Sequence, residues 1–279
     1  MLLLGIDTAT RVGTVGVVRA PLDVSAAGAV DPDGVAARCT VLAEAVRDTG
    51  LAHGAELLSL IDECLAAAGT TLDQVEAIAV SSGPGSFTGL RVALATAKGL
   101  ALGGDVALIG VPTLEALAAT LLPGSGPAAT PAPVAAGTLI AACLDARKGE
   151  VYAAVFAARA VADGGLVLER LTPDAAARPT AFRDSLAALL AARGPQAHAV
   201  LLGDGAERYP AEVVEALHGR ASALPFARFH PRGAVVARRG AALLAESGAD
   251  DRAALVPQYA RASEAEILRA RSDADKAPR

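Results

Sequence analysis

Two aspartates stand in matching places in the two halves of the chain. Asp7 closes the apolar run LLLGID and Asp145 closes LIAACLD, and each is followed by a short polar turn with a glycine. The backbone N–H groups of such a turn can face phosphate oxygens, and its carboxylate can hold a hydrated metal ion. Each aspartate can equally cap its own turn by accepting backbone N–H groups. Both interpretations stay open, and Thr8 and Arg147 belong to the same candidate nucleotide cleft.

The glycine-rich turn SSGPGSFTG is a second candidate site, because it joins an apolar run to a helix of small residues. It lacks the lysine of a phosphate-binding GxxxxGK[ST] loop, and Pro84 breaks the GxGxxG pattern. It also fails the GxSxG pattern of a hydrolase, and none of the four histidines is marked as a base for Ser86. We therefore expect the turn to set the direction of the helix, with Ser86 or Thr88 as N-cap. Its residues are Gly83, Pro84, Gly85, Ser86, Thr88 and Gly89.

The helix expected over 88–102 carries two rows of residues at a spacing of four. One row is Gly89, Ala93, Ala97 and Ala101, and the other is Arg91, Ala95, Gly99 and Gly103. Residues four apart share a helix face, and a face without bulk lets another element approach closely. Because the glycines weaken an isolated helix, we expect close packing inside the fold or against a partner.

Hydrophobic patterning predicts the elements that position these residues. The predicted strands span 2–7, 14–18, 75–82, 106–111 and 199–205, with a second hairpin over 138–156. The predicted helices span 53–69, 88–102, 113–122, 181–193 and 234–247. Residues 36–46 remain open between strand and helix. Two segments rich in proline and glycine, 20–35 and 123–137, are expected to be loops.

The two Asp-bearing hairpins suggest a duplicated α/β unit. This arrangement resembles the actin-like ATPase (ASKHA) superfamily. The resemblance implies an α/β protein with two actin-like, RNase H-like lobes, each a mixed sheet of the five-stranded type flanked by helices. We expect the first lobe over 1–112, the second over 113–260 and a polar tail over 261–279.

Composition narrows the function classes. The chain has 279 residues, 53% of them hydrophobic, and a net charge of −5, which argues against a large basic surface for nucleic acid. The three cysteines fit no zinc pattern, so no metal site is expected. The beginning, MLLLGIDTAT, lacks a basic segment, and the apolar stretches elsewhere are broken by Lys98, Asp105, Pro112 or Asp145 before they could span a bilayer. We expect a soluble cytoplasmic protein without membrane contact.

Several motifs together make a more specific resemblance. In chain order they are IDTAT, HGAELLSLIDECL, GPGSFTGLR, GVPTLEALA, LDARKGEVY and VPQYARASEAE. In this order and at these intervals they are similar to the bacterial TsaB (YeaZ) family, over nearly the whole chain. The chain departs from the family in the 20–35 loop, the 123–137 loop and the polar tail.

The resemblance implies a non-catalytic scaffold that binds TsaD, its catalytic homologue. With the ATPase TsaE, such a complex forms N6-threonylcarbamoyladenosine (t6A) beside the anticodon of tRNAs reading ANN codons, so tRNA is an indirect partner. Alone, the chain is expected to form homodimers through the same helices. No cofactor is expected, except ATP or ADP in the assembled complex. The partner interface implied by the resemblance comprises His53, Leu57, Ile61, Arg91, Ala93, Ala97 and Leu100.

Two enzymatic functions remain as alternatives. The first is a stand-alone actin-like kinase or transferase that holds Mg-ATP with Asp7 and Asp145. The second is a hydrolase that uses Ser86. No catalytic residue is assigned under the scaffold hypothesis, whose catalytic homologue carries an HxxxH metal motif. No two histidines of this chain are four residues apart.

Overall fold

The protein is described by a computed structural model that covers residues 1–21, 32–48, 53–123, 125, 134–161 and 165–260. The first sheet has the strand order β3-β2-β1-β4-β5, in which β1, β2 and β3 are antiparallel neighbours and β4 and β5 run parallel to β1. Its strands are β1 (Leu2–Asp7), β2 (Val12–Arg19), β3 (Thr40–Asp48), β4 (Ala77–Gly83) and β5 (Ala107–Pro112). The inner strands β1 and β4 are buried along their whole length, which explains their continuous apolar runs.

The second sheet repeats this order as β8-β7-β6-β10-β11, with β9 paired to β7. Here β6 and β7 form the antiparallel hairpin, while β10 and β11 run parallel to β6. The strands are β6 (Leu139–Arg147), β7 (Glu150–Ala160), β8 (Leu166–Arg170), β9 (Ala175–Ala177), β10 (Ala199–Leu202) and β11 (Ala221–Ala223). The predicted duplication is confirmed, because β1 and β6 occupy the same central place in their sheets.

The described part of the chain contains eight α-helices. They are α1 (Pro32–Arg38), α2 (His53–Ala67), α3 (Phe87–Ala101), α4 (Thr113–Ala119), α5 (Pro179–Ala192), α6 (Asp204–Arg208), α7 (Pro210–Val213) and α8 (Gly233–Ser247). Helices α2 and α3 share one core cluster with β1 and β4, and α8 packs on the opposite face. A Cβ at Gly5 or Gly16 would overlap the backbone of α8, so these glycines set its close approach.

The return of α8 to the first sheet corrects the expected lobe boundaries. Ala237 of α8 packs with Leu3 and Ala77, and Leu255 beyond it joins the core beneath α2 and α3. The chain after about residue 233 therefore belongs to the first lobe rather than to a second lobe over 113–260. Sequence patterning could not show this, because an apolar helix face fits either sheet.

Helix α4 lies between the lobes. Leu114 and Leu117 pack with Ile140 and Phe156 of the second sheet. Glu115 accepts hydrogen bonds from Arg239 of α8 at 2.6 Å and from Arg170 at the end of β8 at 3.1 Å. An apolar cluster and a chain of charges thus connect the two sheets.

The structure describes some of the segments that the sequence left open or predicted to be loops. The ambiguous 36–46 segment is helix through Arg38 and strand from Thr40. Within the expected 20–35 loop, residues from Pro32 onward are helical, and 22–31 lie outside the described residues. Most of the 123–137 segment and the whole 261–279 tail also lie outside them. In the described ranges no helix is long and apolar enough to cross a membrane.

Candidate partner-docking face and interlobe cleft

The glycine turn holds the first Asp-bearing hairpin in place. Ser86 donates its backbone N–H to the carbonyl of Ala9 at 2.7 Å, and the Thr8 hydroxyl donates to the carbonyl of Gly89 at 2.7 Å. A Cβ at Gly85 would lie 2.6 Å from the Ala9 oxygen, and one at Gly89 would overlap the Thr8 oxygen. Glycine is therefore required at both positions by close backbone contact.

Ser86, rather than Thr88, is the N-cap of α3. Its Oγ accepts the backbone N–H of Gly89 at 3.2 Å. Upstream, the N–H of Gly83 donates to the Thr113 hydroxyl at 3.1 Å, and Pro84 is buried. The hydroxyl of Ser86 thus has a structural role at the start of the helix, which weakens the hydrolase alternative.

Asp7 is sealed beneath this turn and is fully buried. It accepts hydrogen bonds from the Ser81 hydroxyl and from the backbone N–H of Ala9, the latter at 3.1 Å. Burial raises the pKa of the Asp7 carboxyl from 3.8 to about 6, and the two hydrogen bonds oppose this only in part. In this arrangement the carboxylate has no exposed surface with which to reach a hydrated metal ion.

Asp145 occupies the matching place in the second lobe, in a different electrostatic setting. It accepts the backbone N–H of Arg147 at 2.9 Å, and its carboxylate lies 3.2 Å from the Arg147 guanidinium and 3.5 Å from that of Arg208. The Asp204 carboxylate accepts the N–H of Asp145, and burial is the main reason why the pKa of Asp204 is raised. Asp7 and Asp145 each accept the backbone N–H of the residue two positions further on, so each caps its own turn. This is one of the two interpretations that the sequence left open.

The helix pair α2 and α3 presents different side chains from those expected at the interface. Leu57, Ile61, Ala93 and Ala97 are between 0 and 3% exposed and belong to the core beneath the helices. These four assignments were wrong for the surface of the single chain, since this row of each helix faces the sheet. The repeat of four identifies a row but not the direction in which it points.

The second row of α3 faces solvent instead. Arg91, Ala95 and Gly99 are exposed, and Leu100 is half-buried. On α2, Leu58 is 56% exposed. The two helices lie side by side, since a Cβ at Gly54 would come within 4.0 Å of the Val92 side chain. We define the docking face as Leu58, Arg91, Ala95 and Gly99; the side chain of His53 lies outside the described part of the chain.

Comparisons with known proteins agree with this architecture. The family model described as "TsaD: tRNA N6-adenosine threonylcarbamoyltransferase" matches residues 47–183. The TsaB biosynthesis protein of Escherichia coli is 38% identical over 100 residues, 36% of this chain and 39% of that protein. Its counterpart in Haemophilus influenzae is 42% identical over 100 residues, 36% of this chain and 38% of that protein. The chain thus spans about two fifths of the length of these relatives.

Solved structures resemble nearly the whole chain. The structure described as "YeaZ from Pseudomonas aeruginosa" has a TM-score of 0.62 at 23% identity, and the match covers 92% of this chain and 100% of that one. The chain is thus similar in sequence to proteins named TsaB over part of its length, and its fold is similar to that of the YeaZ structures. The resemblance predicted from the motifs is confirmed, and so is the α/β fold with two sheets flanked by helices.

The family match includes the helices of the docking face and the second Asp-bearing hairpin, whereas Asp7 and Tyr259 lie outside it. Residues 47–183 include α2, the glycine turn, α3 and the β6–β7 hairpin. Within the described part of the chain, no group of three or more His, Cys, Asp or Glu side chains could hold a metal ion. Sequence reasoning missed Phe87 and Tyr259, whose rings stack at the start of α3. Their separation of more than 170 positions left no local signal to connect them.

Proposed function

We propose that the chain is a non-catalytic scaffold and activator subunit in the biosynthesis of tRNA threonylcarbamoyladenosine. Its partner is a TsaD-type enzyme, with TsaE as a further subunit and tRNAs reading ANN codons as the substrate of the assembly. The relatives named TsaB and the match to the TsaD family model support this role. The single observation that carries it is the solvent-facing row of small residues on α3, next to an α2 that exposes Leu58.

The docking face suits a helical partner because it lacks bulk. Ala95 and Gly99 are one turn apart, and nothing lies within 4 Å of a Cβ at Gly99. A partner helix can therefore approach the backbone of α3 closely and cover the Leu58 side chain. The same face supports a homodimer when the partner is absent, because an exposed apolar surface is stabilised by contact with a partner or with a second copy of the chain.

The cleft supports a scaffold better than a stand-alone kinase. Asp7 is buried under the glycine turn, and the Asp145 carboxylate is paired with two guanidinium groups. In a scaffold, activation requires only that the chain bind the competent conformation of its partner more tightly than other conformations. Calorimetry of the chain with Mg-ATP tests the rival function, and micromolar binding with turnover would contradict the scaffold proposal.

The decisive experiment is Ala95→Arg in the full chain, followed by co-purification and affinity measurement with the TsaD homologue. Ala95 is exposed, so we expect the fold to survive, while a long charged side chain in the centre of the face weakens binding by at least about a hundredfold. The matched control is Ala188→Arg on α5, also an exposed helical alanine, and it should bind normally. Wild-type affinity for Ala95→Arg would show that the face is wrong.

A further inference from the structure

The chain beyond α8 runs back along the edge strand β5. The backbone N–H of Asp250 donates to the carbonyl of Leu108 at 2.9 Å, and its carboxylate accepts the N–H of Gly110 at 2.7 Å. Arg252 donates to the carbonyl of Val106 at 2.6 Å. These contacts attach the segment to β5 at two points and to the residue just before it at a third, and they occupy backbone groups that an edge strand would otherwise leave open.

The same segment ends at the N-terminus of α3. The N–H of Gln258 donates to the carbonyl of Ser82 at 2.6 Å, and a Cβ at Gly83 would overlap the Gln258 oxygen. The segment thus passes directly over the glycine turn. We call residues 250–259 the C-terminal strap.

Tyr259, at the end of the strap, forms a three-membered cluster with the first turn of α3. Its ring stacks on Phe87, with 5.2 Å between the ring centroids and an angle of 27° between the planes. The Arg91 guanidinium carbon lies 3.8 Å from the Phe87 ring centroid on a cation–π contact, and Arg91 Nε donates to the Tyr259 hydroxyl at 3.0 Å. Two contacts therefore hold the long Arg91 side chain, which would otherwise be free to rotate, and the ring stack holds its two partners together.

The cluster is exposed, so core burial does not account for it. Phe87 is 47% exposed and Tyr259 is 38% exposed, in a chain with only five phenylalanines and three tyrosines. Exposed aromatic rings beside an arginine are typical of the residues that dominate binding energy at protein interfaces. Arg91 also begins the small-residue row that continues through Ala95 and Gly99. The cluster and the docking face are thus continuous along one helix.

Arg91 keeps donors for an external acceptor. Its Nε is used by Tyr259, and the contacts that it makes with the described residues are with the Tyr259 hydroxyl and the Phe87 ring. The guanidinium presents its Nη groups in a planar fork, which matches a carboxylate better than a single oxygen. Since orienting the fork in advance lowers the entropy cost of binding, the cluster prepares Arg91 for this contact.

We propose that the strap is a positioning device for the docking face, with Tyr259 as the residue that orients Arg91 toward a carboxylate of the protein partner. The inference rests on the proposed function, since it assumes that the TsaD-type enzyme binds this face. Tyr259 acts through Arg91 and Phe87 and needs no direct contact with that partner.

Binding measurements with the purified TsaD homologue test the proposal in the full chain. Tyr259→Ala removes ring and hydroxyl and should weaken binding about tenfold, the size of one lost charge-assisted contact. Tyr259→Phe keeps the stack and loses only the hydroxyl, so its loss should be a few-fold. In the Arg91→Ala background, Tyr259→Ala should have no further effect, because there is no guanidinium left to orient. Val256→Ala, at a 59% exposed strap position, is the matched control and should bind normally.

The free chain offers a second readout that a general loss of stability would not reproduce. In an ¹H–¹⁵N spectrum of the arginine side chains, the Arg91 Nε–H signal should be shifted by the Phe87 ring and should return toward the average position in Tyr259→Ala. Wild-type affinity of Tyr259→Ala, or an equal loss in the presence and absence of Arg91, would overturn the proposal. If Ala95→Arg blocks binding and Tyr259→Ala does not, the proposal for the strap is wrong while the proposed function stands. If the wild-type chain does not bind the partner, both the proposed function and the proposal for the strap are wrong.

Discussion

Replacing Asp7 with asparagine tests the electrostatics of the buried carboxyl beneath the glycine turn. Asparagine has almost the same shape; its Oδ1 can still accept the N–H of Ala9, and its amide can donate to the Ser81 hydroxyl. The substitution therefore removes the buried charge while keeping the hydrogen bonds. Because Asp7 is fully buried, solvent does not screen its charge, and the whole pKa shift counts toward the free energy of unfolding.

The magnitude follows from the pKa of Asp7. Burial raises it from 3.8 to about 6, and this difference of about two, at ~1.4 kcal/mol per pKa unit, corresponds to ~3 kcal/mol. Between pH 4 and 6 the folded chain holds a proton that the unfolded chain has released. The contribution of Asp7 to the free energy of unfolding thus falls as the pH rises through this interval, and above it the full cost of the buried charge is present.

Urea unfolding of wild type and Asp7→Asn at several pH values between 4 and 8 measures this effect. We expect the two proteins to be nearly equal at pH 4 and the variant to be more stable at pH 7, by up to ~3 kcal/mol. Asp62→Asn, which removes an exposed carboxylate from α2, is the control and should show no such trend. A variant less stable than wild type at pH 7, or a difference independent of pH, would refute the reasoning.

Two further predictions concern stability. Glu115→Gln should lower the free energy of unfolding by about 1–3 kcal/mol, because it leaves Arg170 and Arg239 without the carboxylate that joins them between the lobes; an unchanged urea midpoint would contradict this. Gly16→Ala should prevent folding, because its Cβ would overlap the backbone of α8. Gly99→Ala should fold and gain up to ~1 kcal/mol of stability from helix propensity. Thermal unfolding followed by circular dichroism compares the two variants.

The comparison between sequence and structure is clearest in α3. The sequence identified the helix, its small residues and two candidates for its N-cap, Ser86 and Thr88, since these depend on neighbours within four positions. It could not say which row faces the sheet, and it placed Ala93 and Ala97 on the surface although both are fully buried. Ala97→Arg should therefore unfold the chain. Ala95→Arg should instead block binding and leave the fold intact.

The sequence by itself determined the repeated Asp-bearing hairpins, the order of most strands and helices and the family resemblance, because local patterning and motif spacing are properties of neighbouring residues. Only the tertiary structure decided the direction of each helix face, the return of α8 to the first sheet and the meeting of Tyr259 with Phe87 and Arg91. The physical reason is that these contacts join residues far apart in the chain. An apolar face specifies that it must be covered and leaves open which distant element covers it.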